Sequence, residues 1–147
     1  MNTTGELKRL EPHDKNVQEI DWLYFPRPWK SSDWATLNPD HHRLWGLFQD
    51  DRLIGFALFH VPPHDDTAHL LKIVLIPKFR GTGLALQFWS DLSKTLSKEG
   101  LQKVYLEVEE SNTGAQRFYT KAGFNILRRA KSYYSDGEAA IMMQLTL

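Results

Sequence analysis

Apolar and polar positions along this chain recur at two periods, and each switch between them marks a new element. Residues 7–10 read as a short first strand. Over residues 17–24 the period is helical, with Val17, Ile20, Leu23 and Tyr24 on one face, until Pro26 and Pro28 stop it. Ser31, Ser32 or Asp33 then caps another short helix. Residues 42–48 and 52–61 read as two strands of a hairpin turning at Asp50-Asp51. After the break at PPHDD, residues 68–76 are almost continuously apolar, interrupted by His69 and Lys72, which predicts a strand covered on both faces.

A second helix shows Ala85, Phe88, Trp89, Leu92 and Leu96 on one side and Gln87, Asp91, Lys94 and Lys98 on the other, with Gly100 closing it. Residues 103–109 alternate cleanly: Val104, Leu106 and Val108 against Tyr105, Glu107 and Glu109. Ser111 or Asn112 caps a last helix that Gly123 ends, and residues 124–130 and 139–145 form two closing strands around the SDG turn. A helix between two strands implies a parallel crossover, whereas the flanking hairpins are antiparallel. The expected fold is therefore a single α/β (α+β) domain over residues 1–147, with a mixed central sheet of about six to seven strands and helices on both faces.

Composition narrows the chemistry. The chain has 147 residues, enough for one core, and 41% of them are hydrophobic, a globular value. Lys plus Arg and Asp plus Glu both total 18, so no excess of basic charge is available to displace the counterions of a nucleic acid. The absence of cysteine excludes disulfides, thiolate metal sites and a cysteine nucleophile, and fits a reducing compartment. MNTTGELKRLEPHDK lacks the apolar core of a signal peptide, and no apolar run nears the ~20 residues of a membrane span. These features set the expectation of a soluble cytoplasmic protein that binds neither nucleic acid nor membrane.

KFRGTGLA lies between the apolar strand and the second helix. A helix opening on a glycine turn offers free N–H groups and a positive dipole end, so the alternatives are a plain tight turn or an anion cradle. The phosphate loop of nucleotide-binding proteins needs Lys-Ser/Thr after Gly83, where Leu84 and Ala85 stand. The dinucleotide fingerprint needs glycine at position 86, which is Leu86.

Arg80-x-x-Gly83-x-Ala85 resembles the Q/R-x-x-G-x-G/A signature of the GCN5-related N-acetyltransferase (GNAT) superfamily. VYLEVEESNTGAQRFYTKAGF resembles the same family's L-E-V…N-x-x-A-x-x-x-Y-x-x-x-G-F segment at Leu106, Glu107, Val108, Asn112, Ala115, Tyr119, Gly123 and Phe124. SYYSDGEAAIMMQL is similar to the ending of its α-amine-acetylating members, with one departure: Ala139 stands where an Asp is usual. The likeness is strong from Leu70 onward.

The resemblance implies a sheet splayed at the cofactor site, with acetyl-coenzyme A as co-substrate. It assigns the backbone of Ile73, Val74 and Leu75 to the pantetheine arm and acetyl group. Arg80, Gly81, Thr82, Gly83, Leu84, Ala85 and Leu86 become the pyrophosphate loop, and Asn112 a further cofactor contact. Glu107 is implied as general base and Tyr119, twelve residues on, as the acid facing the thiolate. The plain alternatives are core packing for Ile73, Val74 and Leu75, a helix cap for Asn112, a solvated strand charge for Glu107 and a packing aromatic for Tyr119. Tyr133 and Tyr134 are implied to line the acceptor site, and Trp29, beside two prolines, is the candidate groove wall.

The expected activity is direct acetyl transfer to a primary amine, with a protein or peptide N-terminal α-amine preferred. A small amine, a lysine side chain, or a non-catalytic acetyl-coenzyme A sensor are the alternatives, and the protein is expected as a monomer or homodimer. His60, His64 and His69 with Asp65 and Asp66 match no standard metal spacing, so no metal is expected.

Overall fold

The computed structural model describes residues 5–147. Seven strands form one sheet in the order β1-β2-β3-β4-β5-β7-β6. They are β1 (Glu6–Leu10), β2 (His42–Gln49), β3 (Arg52–His60), β4 (Thr67–Leu75), β5 (Lys103–Glu109), β6 (Asn125–Ala130) and β7 (Ala140–Thr146). The helices are α1 (Lys15–Tyr24), α2 (Ser31–Trp34), α3 (Leu84–Lys98) and α4 (Thr113–Ala122). Only β4 and β5 pair in parallel; every other neighbouring pair is antiparallel. The mixed sheet expected from the element order is thus present.

Helices cover both faces. Phe56 and Phe59 lie three residues apart on β3 and so point to opposite sides. Phe56 meets Trp34 of α2 edge-on at 6.1 Å, and Phe59 meets Trp89 of α3 at 6.4 Å. The β5 alternation holds: Val104, Leu106 and Val108 are buried, while Tyr105, Glu107 and Glu109 are partly exposed.

β4 departs from the expected uniform cover. Its residues alternate between buried and half-buried, and Leu71 is skipped in the pairing, where Phe59 opposes Leu70 and Leu58 opposes Lys72. A single extra residue flips the faces that follow it. Leu70 therefore faces α3 with Phe59, whereas Lys72 and Val74 face α1 and α2 with Leu58 and Phe56.

The face of α1 also differs from its apolar count. Val17, Ile20 and Asp21 are buried, but Leu23 is 59% exposed and Tyr24 lies at the surface. Asp21 goes inside because its carboxylate finds a partner there: Lys72 Nζ donates to Asp21 Oδ1 at 2.8 Å. The short helix α2 has no side-chain cap at its first turn; instead Asp33 reaches back to accept the Lys30 N–H at 2.9 Å. Asp14 caps α1 by accepting the Val17 N–H at 3.0 Å.

Candidate active site

β4 and β5 pair only over Thr67, Ala68 and His69, which oppose Lys103, Val104 and Tyr105. Beyond His69 the strands part. Residues 70–75 remain paired with β3, and residues 106–109 with β7. A V-shaped notch opens between them, with the β5-facing side of Ile73, Val74 and Leu75 along one wall. Val74 and Leu75 are buried and Ile73 packs against the core, so their side chains serve packing while their backbones border the notch.

The glycine turn lies at the far end of β4. A 3-10 turn, Pro77–Phe79, leads into Arg80, whose Nε–H donates back to the Leu75 carbonyl at 2.9 Å. Arg80 is thus committed to tying the loop to the strand. Gly81 and Gly83 adopt left-handed conformations, φ +74° and +83°, and a Cβ on either would meet nothing within 4 Å. Glycine is needed here for backbone shape and leaves open space in front of it. Thr82 Oγ1 donates to the Phe79 carbonyl at 2.9 Å, and the Leu84 N–H reaches Thr82 Oγ1 at 3.4 Å. The α3 N-terminus, at Leu84, Ala85 and Leu86, carries neither a side-chain cap nor an acidic residue in its first turn. Open amides, a positive helix end and no competing anion make the loop fit a pyrophosphate.

Asn112 is the cap of α4, its Oδ1 accepting the Ala115 N–H at 3.1 Å. Its amide NH₂ is left for a further contact. On α4, Tyr119 packs edge-on against Phe118 and Phe124, each at 5.5 Å. Burial pushes its hydroxyl well above the usual tyrosine range, and Glu109 and Tyr134 add to the shift.

Glu107 stands on the α1–α2 face of β5, beside the notch. Its Oε2 lies 2.5 Å from His69 Nε2, and the side chains are 15% and 19% exposed. The His69 ring stacks on Tyr105 at 4.1 Å. Tyr133 lies beside Glu107, and burial followed by the Glu107 charge raises the Tyr133 hydroxyl above the usual range. Tyr134 packs edge-on against Tyr133 at 5.0 Å.

Glu109, next on the same face, is held by Arg27. Arg27 Nε donates to Glu109 Oε1 at 2.9 Å, while its NH2 group reaches Asp136 Oδ2 at 3.0 Å and Glu138 Oε2 at 3.4 Å. The guanidinium also lies 4.2 Å over the Tyr134 ring. Arg27 thereby joins the α1–α2 connection to β5 and to the β6–β7 turn. Trp29 is half-buried against the core. Its backbone N–H donates to Asp21 Oδ2 at 2.8 Å, its ring meets Trp34 at 5.1 Å, and Lys72 Nζ sits 4.7 Å over it.

The structure brings Glu107 together with Tyr133 at the mouth of the notch, adds Tyr134 beside them, and puts the glycine loop at the notch's far end. Sequence reading missed His69, Glu109 and Arg27 at this site. In the sequence His69 is a polar interruption of an apolar strand and part of a His/Asp group without metal spacing; the parallel register of β4 on β5, which places it opposite Tyr105, is what brings it to the site. Among the described residues no three His, Asp or Glu side chains converge on a metal-sized gap.

Comparisons with known proteins agree with this geometry. Residues 15–124 match the Acetyltransferase (GNAT) family model. The chain is 31% identical over 151 residues to the ribosomal protein bS18-alanine N-acetyltransferase of Escherichia coli (strain K12), covering 100% of this chain and 99% of that protein. The crystal structure of the Escherichia coli ribosomal-protein-S18-alanine N-acetyltransferase superposes with a TM-score of 0.85 at 29% identity, over 97% of this chain and 93% of that one. A GNAT family acetyltransferase from Elizabethkingia anophelis with acetyl-CoA bound shares the fold, with a TM-score of 0.80 at 17% identity over 97% and 98% of the two chains. With a family match over most of its length and a full-length relative behind it, the chain belongs to the GNAT acetyltransferase family and is an acetyl-coenzyme A-dependent N-acetyltransferase.

Proposed function

We propose that the acceptor is a protein or peptide N-terminal α-amine, bound on the α1–α2 face and acetylated at the notch. The observation that carries this reading is the charge arrangement. Of the carboxylates gathered there, Glu109, Asp136 and Glu138 share Arg27, whereas Glu107 has no Lys or Arg partner among the described residues. Glu107 is the carboxylate left to meet an ammonium group. The full-length relative named for a ribosomal-protein alanine supports a peptide acceptor, as do Tyr133 and Tyr134 beside Glu107. A small amine or a lysine side chain has no observation of its own in favour.

Acetyl-coenzyme A supplies an activated acyl group and a thiolate leaving group. The Gly81–Leu86 amides hold its pyrophosphate, the Ile73–Leu75 backbone aligns its arm, and a strand N–H at Val74 or Leu75 polarises the acyl oxygen. Glu107 acts as the base. An α-ammonium near pKa 8 facing an ordinary glutamate near 4.3 is mismatched by roughly 3.5 units, about 5 kcal/mol, so deprotonation runs through water or is shared with a neighbour. Tyr119, with its hydroxyl pushed upward, stays protonated and donates a hydrogen bond to the departing sulfur. With no cysteine in the chain, transfer is direct.

The test is thiol release from acetyl-coenzyme A with a panel of alanine-initiated peptides, polyamines and N-terminally blocked lysine peptides. The proposal expects release with the unblocked peptides. Turnover confined to polyamines or blocked lysine peptides would contradict it, and tight cofactor binding without any turnover would point to a sensor.

A further inference from the structure

His69 ends the paired stretch of β4 and β5, at the apex of the notch. Its Nε2 lies 2.5 Å from Glu107 Oε2. A carboxylate only accepts, so the proton in that contact belongs to Nε2 and the lone pair of a neutral ring is left on Nδ1. Nδ1 has no hydrogen-bond partner among the described residues, and the side chain keeps 19% exposure. The structure thus presents an oriented imidazole with an unused basic nitrogen beside the proposed base.

We propose that His69 is the proton-holding partner of Glu107, which makes the two side chains one composite base. The inference rests on Glu107 being the base, as proposed above, and names the atom on which the proton comes to rest. Acetylating an ammonium group forms one N–C bond and breaks one C–S bond. The sulfur takes one proton, and one proton is left over. Glu107 Oε1 takes that proton at the amine and passes it through solvent to Nδ1 of His69, because Nε2 already carries its own. The result is an imidazolium paired with a carboxylate, and Nδ1 returns the proton to solvent before the next turnover. His69 acts through Glu107 and does not itself touch the acceptor.

Magnitudes favour this sharing. A glutamate alone lies about 3.5 pKa units below an α-amine, whereas an imidazole near 6.5 lies only about 1.5 units below, a gain of about a hundredfold in proton affinity. The neighbouring histidines bring no positive charge of their own to this corner near pH 7. His60, opposite on β3, and His42 beyond it on β2 are pushed below the usual imidazole range, chiefly by burial, so they stay neutral near pH 7. His41 stacks on His60 rather than on His69. Tyr105 under the ring and Tyr133 beside Glu107 are pushed upward and stay protonated, Asp65 in the β3–β4 turn contributes negative charge, and the Lys72 charge is taken up by Asp21.

Two measurements test this. In the ligand-free protein, nitrogen NMR of labelled histidine is expected to show His69 as the Nε2–H tautomer with a bare Nδ1, and Glu107→Gln is expected to disturb that signal; an Nδ1–H tautomer overturns the proposal. In kinetics, His69→Gln keeps an N–H for Glu107 but holds no proton. Its kcat/KM is expected to fall at least tenfold near pH 7, to approach the parent above about pH 8, where the amine arrives already neutral, and His69→Gly is expected to be rescued by added imidazole. If Glu107→Gln abolishes turnover while His69→Gln keeps the parent rate and pH profile, the composite base is wrong and Glu107 works alone. If Glu107→Gln turns over normally, the base assignment itself fails and this proposal with it.

Discussion

The Lys72 ammonium sits 2.8 Å from Asp21 Oδ1, with the two residues only 2% and 0% exposed. Lys72 also donates to the Arg27 carbonyl at 3.3 Å and lies 3.9 Å over the Phe25 ring. This pair fastens the FPRPW stretch to β4 just past its bulge, so the acceptor side is braced by charge inside the core. Breaking a buried pair leaves an uncompensated charge, at a cost of about 3–5 kcal/mol. Lys72→Met is expected to lower stability by that amount in chemical denaturation. Adding Asp21→Asn, which keeps an oxygen for the Trp29 N–H, is expected to restore at least half. A single variant as stable as the parent would show that the pair is dispensable.

Arg27 makes the second connection, from the same stretch to Glu109, Asp136 and Glu138. It is a third exposed, so its removal is expected to cost stability no more than about 1 kcal/mol. Its effect belongs on the acceptor. Arg27→Ala releases the β6–β7 turn carrying Tyr133 and Tyr134 and frees the Glu109 charge. The KM for a peptide acceptor is expected to rise about tenfold, some 1.4 kcal/mol, with affinity for the cofactor unchanged. Lysine restores only part, because it lacks the fork that serves three carboxylates. Steady-state kinetics at varied peptide concentration provides the check, and an unchanged KM would remove Arg27 from acceptor binding.

Gly83 caps α3 at φ +83° with open space where a side chain would begin. Gly83→Val is therefore opposed by backbone conformation rather than by a clash, at about 1–2 kcal/mol or more. Once the turn reshapes, its amides no longer converge. Calorimetric titration with acetyl-coenzyme A is expected to show a dissociation constant raised about tenfold or more. An unchanged value would mean that the turn is only a turn.

Four of the five tyrosines, Tyr105, Tyr119, Tyr133 and Tyr134, are pushed upward, in each case chiefly by burial. An acid raised in the folded state makes no difference to stability below its unfolded pKa of about 10, where both states keep the proton. Above that the unfolded chain releases protons first, and stability falls as pH rises toward the folded values. Ultraviolet titration is expected to show most tyrosines ionising above pH 10, together with unfolding. A single normal curve near pH 10 in a folded protein would contradict this.

Much of the site was readable because it depends on local pattern. The alternation of β5 put Glu107 and Glu109 on the polar face, and Gly81 and Gly83 marked a turn that only left-handed residues make easily. What escaped was set by partners distant in sequence. Asp21 lies on the buried face of α1 because of Lys72, a partner 51 residues away that local periodicity does not indicate. Leu23, read onto the apolar face with Val17 and Ile20, is 59% exposed instead. The one-residue slip at Leu71 turns Lys72 and Val74 to the α1–α2 face, and an apolar run carries no sign of such a slip. His69 meets Glu107 across 38 residues, through a register that periodicity cannot supply.

The most direct measurement uses one alanine-initiated peptide bearing both a free α-amine and an internal lysine. It is incubated with acetyl-coenzyme A and the protein or its Glu107→Gln variant, and the acetyl group is located by fragmentation mass spectrometry. The account predicts acetyl on the α-nitrogen alone, formed by the parent and nearly absent with the variant. Acetyl on the lysine, or equal product from both proteins, would contradict it.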